Sequence, residues 1–62
     1  MTSAEINEYR QGYSYGSKWL ARQHSLAEIE LVALRLRQHN HDLWERGYSN
    51  ALTDYIKRSR AH

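Results

Sequence analysis

Histidines are the residues best suited to chemistry in this sequence, and His39 and His41 stand closest together. With Asp42 beside them and His24 elsewhere, they offer imidazole and carboxylate ligands of the kind that zinc takes in sets of three or four. His39 and His41 have one residue between them in a predicted turn, so they lack the i, i+4 spacing that places two ligands on one helix face. We therefore predict no metal site and no cofactor.

Catalysis by a triad needs a nucleophile, a base and an orienting acid that converge in a cleft. The chain has 62 residues, and a chain of this length buries only about 60% of the surface that its unfolded form exposes. Gly12 and Gly16 fall inside a helical pattern and so do not form a phosphate-binding loop. We predict a protein that is not an enzyme.

Aromatic residues are numerous, with five Tyr and two Trp. Tyr and Trp are preferred anchors of protein interfaces. Beside cations they also suit single-stranded nucleic acid, because bases stack on the rings while phosphates contact the cations. Tyr15, Lys18, Trp19 and Arg22 have the spacing for such a surface on one helix, so both kinds of partner stay open.

Basic residues concentrate in the second half of the chain. Residues 1–31 carry three basic and four acidic side chains, whereas residues 32–62 carry six basic and three acidic ones. The excess of cations could attract phosphates or an acidic protein surface. The alternative is that cations at a helix end only complement the helix dipole. The candidate nucleic-acid contacts are Arg35, Arg37, Arg46, Lys57, Arg58 and Arg60.

Three helices must position these side chains, and we predict them over residues 3–22, 26–38 and 42–58. Thr2 with Glu5 and Ser25 with Glu28 have the capping-box spacing, and Asn40 suits the break before the third helix. Ala, Leu, Glu and Arg favour helix over strand. The prediction is an all-α fold, a small bundle of two or three helices in one domain, with a short basic C-terminal tail.

The middle helix is apolar on both sides. Ile29, Val32 and Leu36 follow one face, while Leu31 and Leu34 fall on the opposite face. Since soluble monomers seldom expose such a patch, we predict a partner there and expect a two-fold homodimer. The candidate partner or self-association surface is Leu31, Leu34, Tyr15 and Trp19.

An internal echo relates the first and third helices at a shift of 35 residues. Both segments read aromatic-x-x-Gly-Tyr-Ser-x-small, and Gly inside a helix costs about 1 kcal/mol relative to Ala. Small residues four positions apart let another backbone come close, and the flanking rings then cover the contact. The predicted packing motif is Tyr9, Gly12, Tyr13, Gly16, Trp44, Gly47, Tyr48 and Ala51.

The same two segments resemble the helical signatures of bacterial ribosome modulation factors. These are Gly12-Tyr13-Ser14-Tyr15-Gly16 and Trp44-Glu45-Arg46-Gly47-Tyr48-Ser49-Asn50-Ala51, which are five and eight residues long. The resemblance implies a small basic helical protein that binds ribosomal RNA and proteins on the small ribosomal subunit and promotes ribosome hibernation.

We therefore expect a small regulatory protein of bacterial or phage origin that acts through a helical protein–protein interaction, as a regulator or inhibitor of a larger machine. The alternative is an RNA-binding or ribosome-binding protein that uses the basic C-terminal end. Cysteine is absent and the first residues have no secretory pattern, so we expect a cytoplasmic location. No apolar run approaches the roughly 20 residues of a membrane span, so we expect no membrane association.

Overall fold

The computed structural model describes residues 2–39 and 42–61. They form three α-helices, α1 (Ser3–Leu20), α2 (Leu26–Gln38) and α3 (Leu43–Arg60), and this part of the chain contains no strand. The prediction of a small all-α helical bundle is confirmed. The helix bounds differ from the predicted ones by up to two residues at each end.

The first helix begins with the complete capping box that the sequence predicts. The Thr2 hydroxyl accepts from the Glu5 N–H at 3.2 Å, and the Thr2 N–H donates to the Glu5 carboxylate at 3.0 Å. Hydrogen bonding to the carboxylate by the Thr2 backbone N–H, and secondarily by the Thr2 side chain, lowers the pKa of Glu5, because it favours the charged form. The two bonds of the capping box satisfy N–H groups that a helix start leaves free.

The second predicted capping box is only half formed. The Ser25 hydroxyl accepts from the Glu28 N–H at 3.1 Å, but the Glu28 carboxylate turns away and pairs with His24 Nδ1. His24 lies four residues before Glu28 and competes with the Ser25 backbone N–H for its carboxylate. The capping pattern alone does not reveal this competition. At the third helix, Asp42 is the N-cap and accepts from the Glu45 N–H at 2.8 Å, while Asn40 lies outside the described residues.

The predicted basic tail is the last turn of α3. The helix continues to Arg60, so Lys57, Arg58 and Arg60 all lie within it. Lys and Arg are good helix formers, and their charges complement the negative end of the helix dipole. The predicted third helix ends at residue 58, so the helix extends two residues further than predicted and includes Arg60.

The third helix is central, and each of the other two packs on it. Along α1, Tyr9 and Tyr13 bond to Asn50 and Asp54 in turn, so α1 and α3 run in the same direction. Glu30 near the start of α2 pairs with Arg60 at the end of α3, so these two helices are antiparallel. The connection between Gln38 and Leu43 is short, as antiparallel neighbours require.

The core lies where α3 meets the other two helices. Ile29, Ala33, Ala51 and Leu52 are buried, and larger side chains that remain partly exposed, including Val32, pack around them. The face of α2 with Ile29, Val32 and Leu36 thus turns inward, as its periodicity predicts. Among the described residues, no helix has the length and apolarity to cross a membrane.

Candidate binding surfaces

The closest contact in the molecule is between the backbones of α1 and α3. A Cβ atom placed on Gly12 would lie 1.9 Å from the Trp44 carbonyl oxygen, and one on Gly47 would lie 2.1 Å from the Tyr9 carbonyl oxygen. Trp44 lies three positions before Gly47, and Tyr9 lies three positions before Gly12, so each glycine meets the equivalent carbonyl of the other helix. The two segments are therefore related by an approximate local two-fold, and neither position has room for any side chain.

The contact is looser one turn further along. A Cβ atom on Gly16 would lie 2.8 Å from the Ala51 Cβ atom and 3.1 Å from the Tyr48 carbonyl oxygen. Gly12, Gly16, Gly47 and Ala51 are all buried. All four small residues thus lie in one helix contact within a single chain, where their spacing places them.

One flank of this contact is closed by hydrogen bonds. Asn50 Nδ2 donates to the Tyr9 hydroxyl at 2.6 Å, and the Tyr13 hydroxyl donates to Asp54 Oδ2 at 2.9 Å. The bond to Asp54 raises the pKa of Tyr13, since it favours the protonated phenol, and burial acts in the same direction. We call this side the polar flank.

The other flank is closed by rings. Tyr15 lies 5.1 Å from both Trp44 and Tyr48 between ring centroids, and Trp19 lies 6.3 Å from Tyr48. Trp19 also stacks on His24 with centroids 3.8 Å apart and planes 14° apart. Burial raises the pKa of Tyr48. We call this side the aromatic flank.

A shallow pocket of about 170 Å³ opens on the aromatic flank, and its lining consists of Tyr15, Lys18, Trp19 and Arg22. These are the four residues whose spacing predicted a surface for bases and phosphates. Tyr15 is 49% exposed, so its ring is available to a ligand while it still contacts Trp44 and Tyr48. Two rings and two cations at one opening can stack a planar group and bind an anion.

The outer side of α2 exposes two large apolar side chains. Leu31 is 50% exposed and Leu34 is 52% exposed. We call this surface the α2 face. Tyr15 and Trp19 are not part of it, because they belong to the aromatic flank on α1. The single surface predicted from Leu31, Leu34, Tyr15 and Trp19 is therefore two separate surfaces.

A longer groove of about 400 Å³ runs between α2 and α3 beside the α2 face. Apolar side chains form its floor, and charged or polar side chains form its rim. The floor is Ala33, Leu34 and Ile56, and the rim is Glu30, Arg37, Thr53, Lys57 and Arg60. We call this opening the α2–α3 groove.

The predicted nucleic-acid contacts do not form one patch. Arg37, Lys57 and Arg60 line the α2–α3 groove, and Arg60 also pairs with Glu30 there. Arg58 Nε donates to the Asp54 carbonyl oxygen of its own helix at 3.4 Å. Arg35 and Arg46 are exposed and do not line the groove. Half of the predicted set is thus brought together.

The candidate metal ligands are not clustered in the residues that the structure describes. No group of three His, Cys, Asp or Glu side chains there could hold a metal ion, and His41 lies outside the described residues. His24 stacks on Trp19 and pairs with Glu28. Asp42 caps α3. Both residues thus have structural contacts that account for their positions.

Sequence reasoning missed the residues that complete the groove and the polar flank. Glu30, Thr53 and Ile56 carry no motif and enter the groove only because α2 and α3 are antiparallel. Asn50 and Asp54 bond to tyrosines 41 positions earlier. The echo at 35 residues contained part of that signal, since parallel helices in register bring one segment beside the other.

Comparison of the chain with protein-family models, with characterised proteins and with solved structures finds no match. The resemblance to ribosome modulation factors therefore stays a prediction from two short motifs.

Proposed function

We propose that this chain is a small non-enzymatic regulatory protein that acts as a helical interaction module and docks on a larger protein through its α2 face. The observation that carries the proposal is the half exposure of Leu31 and Leu34 on one side of a helix whose opposite side is buried. Neighbouring exposed apolar side chains beside a charged rim are a feature of interaction sites.

These leucines are not needed to complete the fold. Ile29 and Ala33 already supply the buried contacts of α2, and Leu31 projects away from them. A helix that packs through one side and keeps leucines on the other is suited to having a neighbour on each side. The tight α1–α3 contact then acts as the scaffold that holds α3, and through it α2, in place.

Affinity capture of the full chain from its native host tests the proposal when it is run with and without nuclease. We expect a protein to be retained after nuclease treatment and to be lost when Leu31→Glu and Leu34→Glu are combined. Gln11→Glu combined with Ser14→Glu is the matched control, because the pair adds the same two negative charges at exposed positions on α1. Retention by the double α2 variant, or loss with nuclease alone, would contradict the proposal.

A second candidate function is binding to RNA or to the ribosome, and the pocket on the aromatic flank favours it. Tyr15 and Trp19 offer faces for unpaired bases, and Lys18 and Arg22 offer charges for phosphates. The resemblance to ribosome modulation factors agrees with this function. It would use the aromatic flank, whereas the sequence assigned it to the basic C-terminal end.

Binding of a labelled unstructured RNA oligonucleotide separates the two RNA surfaces. If the pocket binds RNA, Trp19→Ala and the pair Lys18→Gln and Arg22→Gln weaken binding, and affinity falls steeply between low and physiological salt. If the C-terminal end binds RNA, the joint change of Lys57, Arg58 and Arg60 to Gln weakens binding and retention on heparin. Equal and salt-independent affinity for all variants would exclude both surfaces.

A further inference from the structure

We propose that the docking segment of the partner is an acidic amphipathic helix that contacts the α2 face at Leu34 and lies in the adjoining α2–α3 groove, with its apolar side on the floor and its carboxylates at the basic rim. This inference rests on the proposed function and specifies the chemistry of the partner.

The shape of the groove fits a helix. Its lining on α2 extends from Glu30 to Arg37, which is about 10 Å of helix at a rise of about 1.5 Å per residue. The floor presents the partly exposed side chains of Leu34 and Ile56 beside the small Ala33. A partner helix with apolar residues at i, i+3 or i+4, and i+7 spans this distance and fills the space above Ala33.

The charge of the groove fits an acidic partner. Arg37 and Lys57 line opposite helices at the rim, and neither forms an ion pair with any other described residue. The third cation, Arg60, is already paired with Glu30. These two cations, which no carboxylate of the described residues pairs, can therefore attract the carboxylates of a docked helix and set its direction, because a partner with cations there would be repelled.

The same charges disfavour a second copy of this chain as the occupant. A two-fold contact pairs each surface with itself. The rim of the groove carries three cations, Arg37, Lys57 and Arg60, against one carboxylate, Glu30. A homodimer through this surface would therefore bring together two rims of the same net charge, and like charges across an interface cost free energy. The expected homodimer thus competes poorly with an acidic helix for this surface.

Selection from a displayed library of helical peptides, randomised on one face and its borders, tests the inference with the full-length protein as bait. We expect enriched peptides to carry Leu, Ile or Met at i, i+3 or i+4, and i+7, with Glu or Asp at the borders. For one enriched peptide, fluorescence anisotropy should show about a tenfold loss of affinity with Leu34→Glu. The joint change of Arg37 and Lys57 to Glu should cause a similar loss, and higher salt should weaken binding.

Arg10→Glu with Arg46→Glu is the matched control, since it reverses two exposed charges that line neither opening. It should change the affinity by less than about twofold. No enrichment, enrichment of basic or neutral peptides, or binding that ignores Leu34→Glu would overturn the inference.

Sedimentation of the full chain at tens of micromolar provides a further decisive outcome. A concentration-dependent dimer that Leu34→Glu abolishes would assign the groove to a second copy and overturn the inference, whereas a monomer of 7.4 kDa supports it. If capture from the host depends on Leu31 and Leu34 but the selected peptides are not acidic, the proposed function stands and this inference fails alone.

Discussion

The polar and aromatic flanks of the α1–α3 contact occupy equivalent places on two related segments, yet they are closed by different forces. At a shift of 35 residues, Tyr9 and Asn50 on the polar flank correspond to Trp44 and Tyr15 on the aromatic flank. The first pair is joined by a hydrogen bond of 2.6 Å, and the second by ring contact at 5.1 Å. The same backbone arrangement is thus covered by hydrogen-bonded side chains on one flank and by packed rings on the other.

The difference has a consequence for binding. On the polar flank, the Tyr13 hydroxyl and Asp54 Oδ2 are bonded to each other. Rings on the aromatic flank have faces and edges that can contact a further group, and Lys18 and Arg22 add charge beside them. The polar flank therefore fixes the two helices, while the aromatic flank fixes them and also offers a surface.

The largest expected effect is the loss of the contact that both flanks surround. Gly12→Ala and Gly47→Ala each place a Cβ atom about 2 Å from a carbonyl oxygen. We expect each to destabilise the fold by about 3 kcal/mol or more, although Ala favours helix over Gly. Thermal and urea unfolding measure this.

Gly16→Ala is the internal control for close approach, because its Cβ atom would lie 2.8 Å from a side-chain atom and 3.1 Å from the nearest backbone atom. Its effect should be clearly smaller. A Gly12→Ala protein that melts at or above the temperature of the wild type would show that the helices do not approach as described.

A smaller effect is expected from truncation of the aromatic flank. Trp19→Ala removes the stacking on His24 and the contact with Tyr48, and for a partly buried ring we expect a loss of about 2 kcal/mol. Tyr15→Ala is the comparison, since Tyr15 is 49% exposed and should cost less. Equal losses of unfolding free energy for the two variants would mean that Trp19 stabilises the fold no more than the more exposed Tyr15 does.

On the polar flank the expected effect is smaller again. Tyr13→Phe removes only the hydroxyl that donates to Asp54, and such a bond contributes about 1 kcal/mol. Tyr15→Phe serves as the control, because the contacts of Tyr15 are made by its ring. If Tyr15→Phe shifts the urea midpoint as much as Tyr13→Phe does, the destabilisation comes from removing a hydroxyl in general and not from losing the bond to Asp54.

The smallest effect is a pH dependence. The bond to Asp54 holds the pKa of Tyr13 above its ordinary value, which is about 10 in an unfolded chain. The stability from this bond is fully present below that value and is lost as pH rises through the higher pKa of the folded state. Urea midpoints from pH 8 to pH 11 should therefore fall less steeply for Tyr13→Phe than for the wild type. Parallel curves would contradict the bond.

The sequence was sufficient to predict the helices and the small-residue contact, because periodicity, caps and the spacing of Gly12, Gly16, Gly47 and Ala51 are local signals. It could not show that Trp19 and Leu34 lie on two different surfaces. Periodicity indicates which side of each helix is buried, but it does not show whether the exposed sides of α1 and α2 adjoin in the bundle. The partners of Tyr9 and Tyr13 likewise depend on the parallel register of α1 and α3, which no local pattern encodes.

The most direct test of the account is site-specific photo-crosslinking in the native host, with a photoreactive residue at position 34 on the α2 face and, in a separate protein, at position 14 on α1. We expect a discrete protein adduct from position 34 that survives nuclease treatment, and none from position 14. No protein adduct from position 34, or the same adducts from both positions, would contradict the claim that this chain acts by docking a protein on α2.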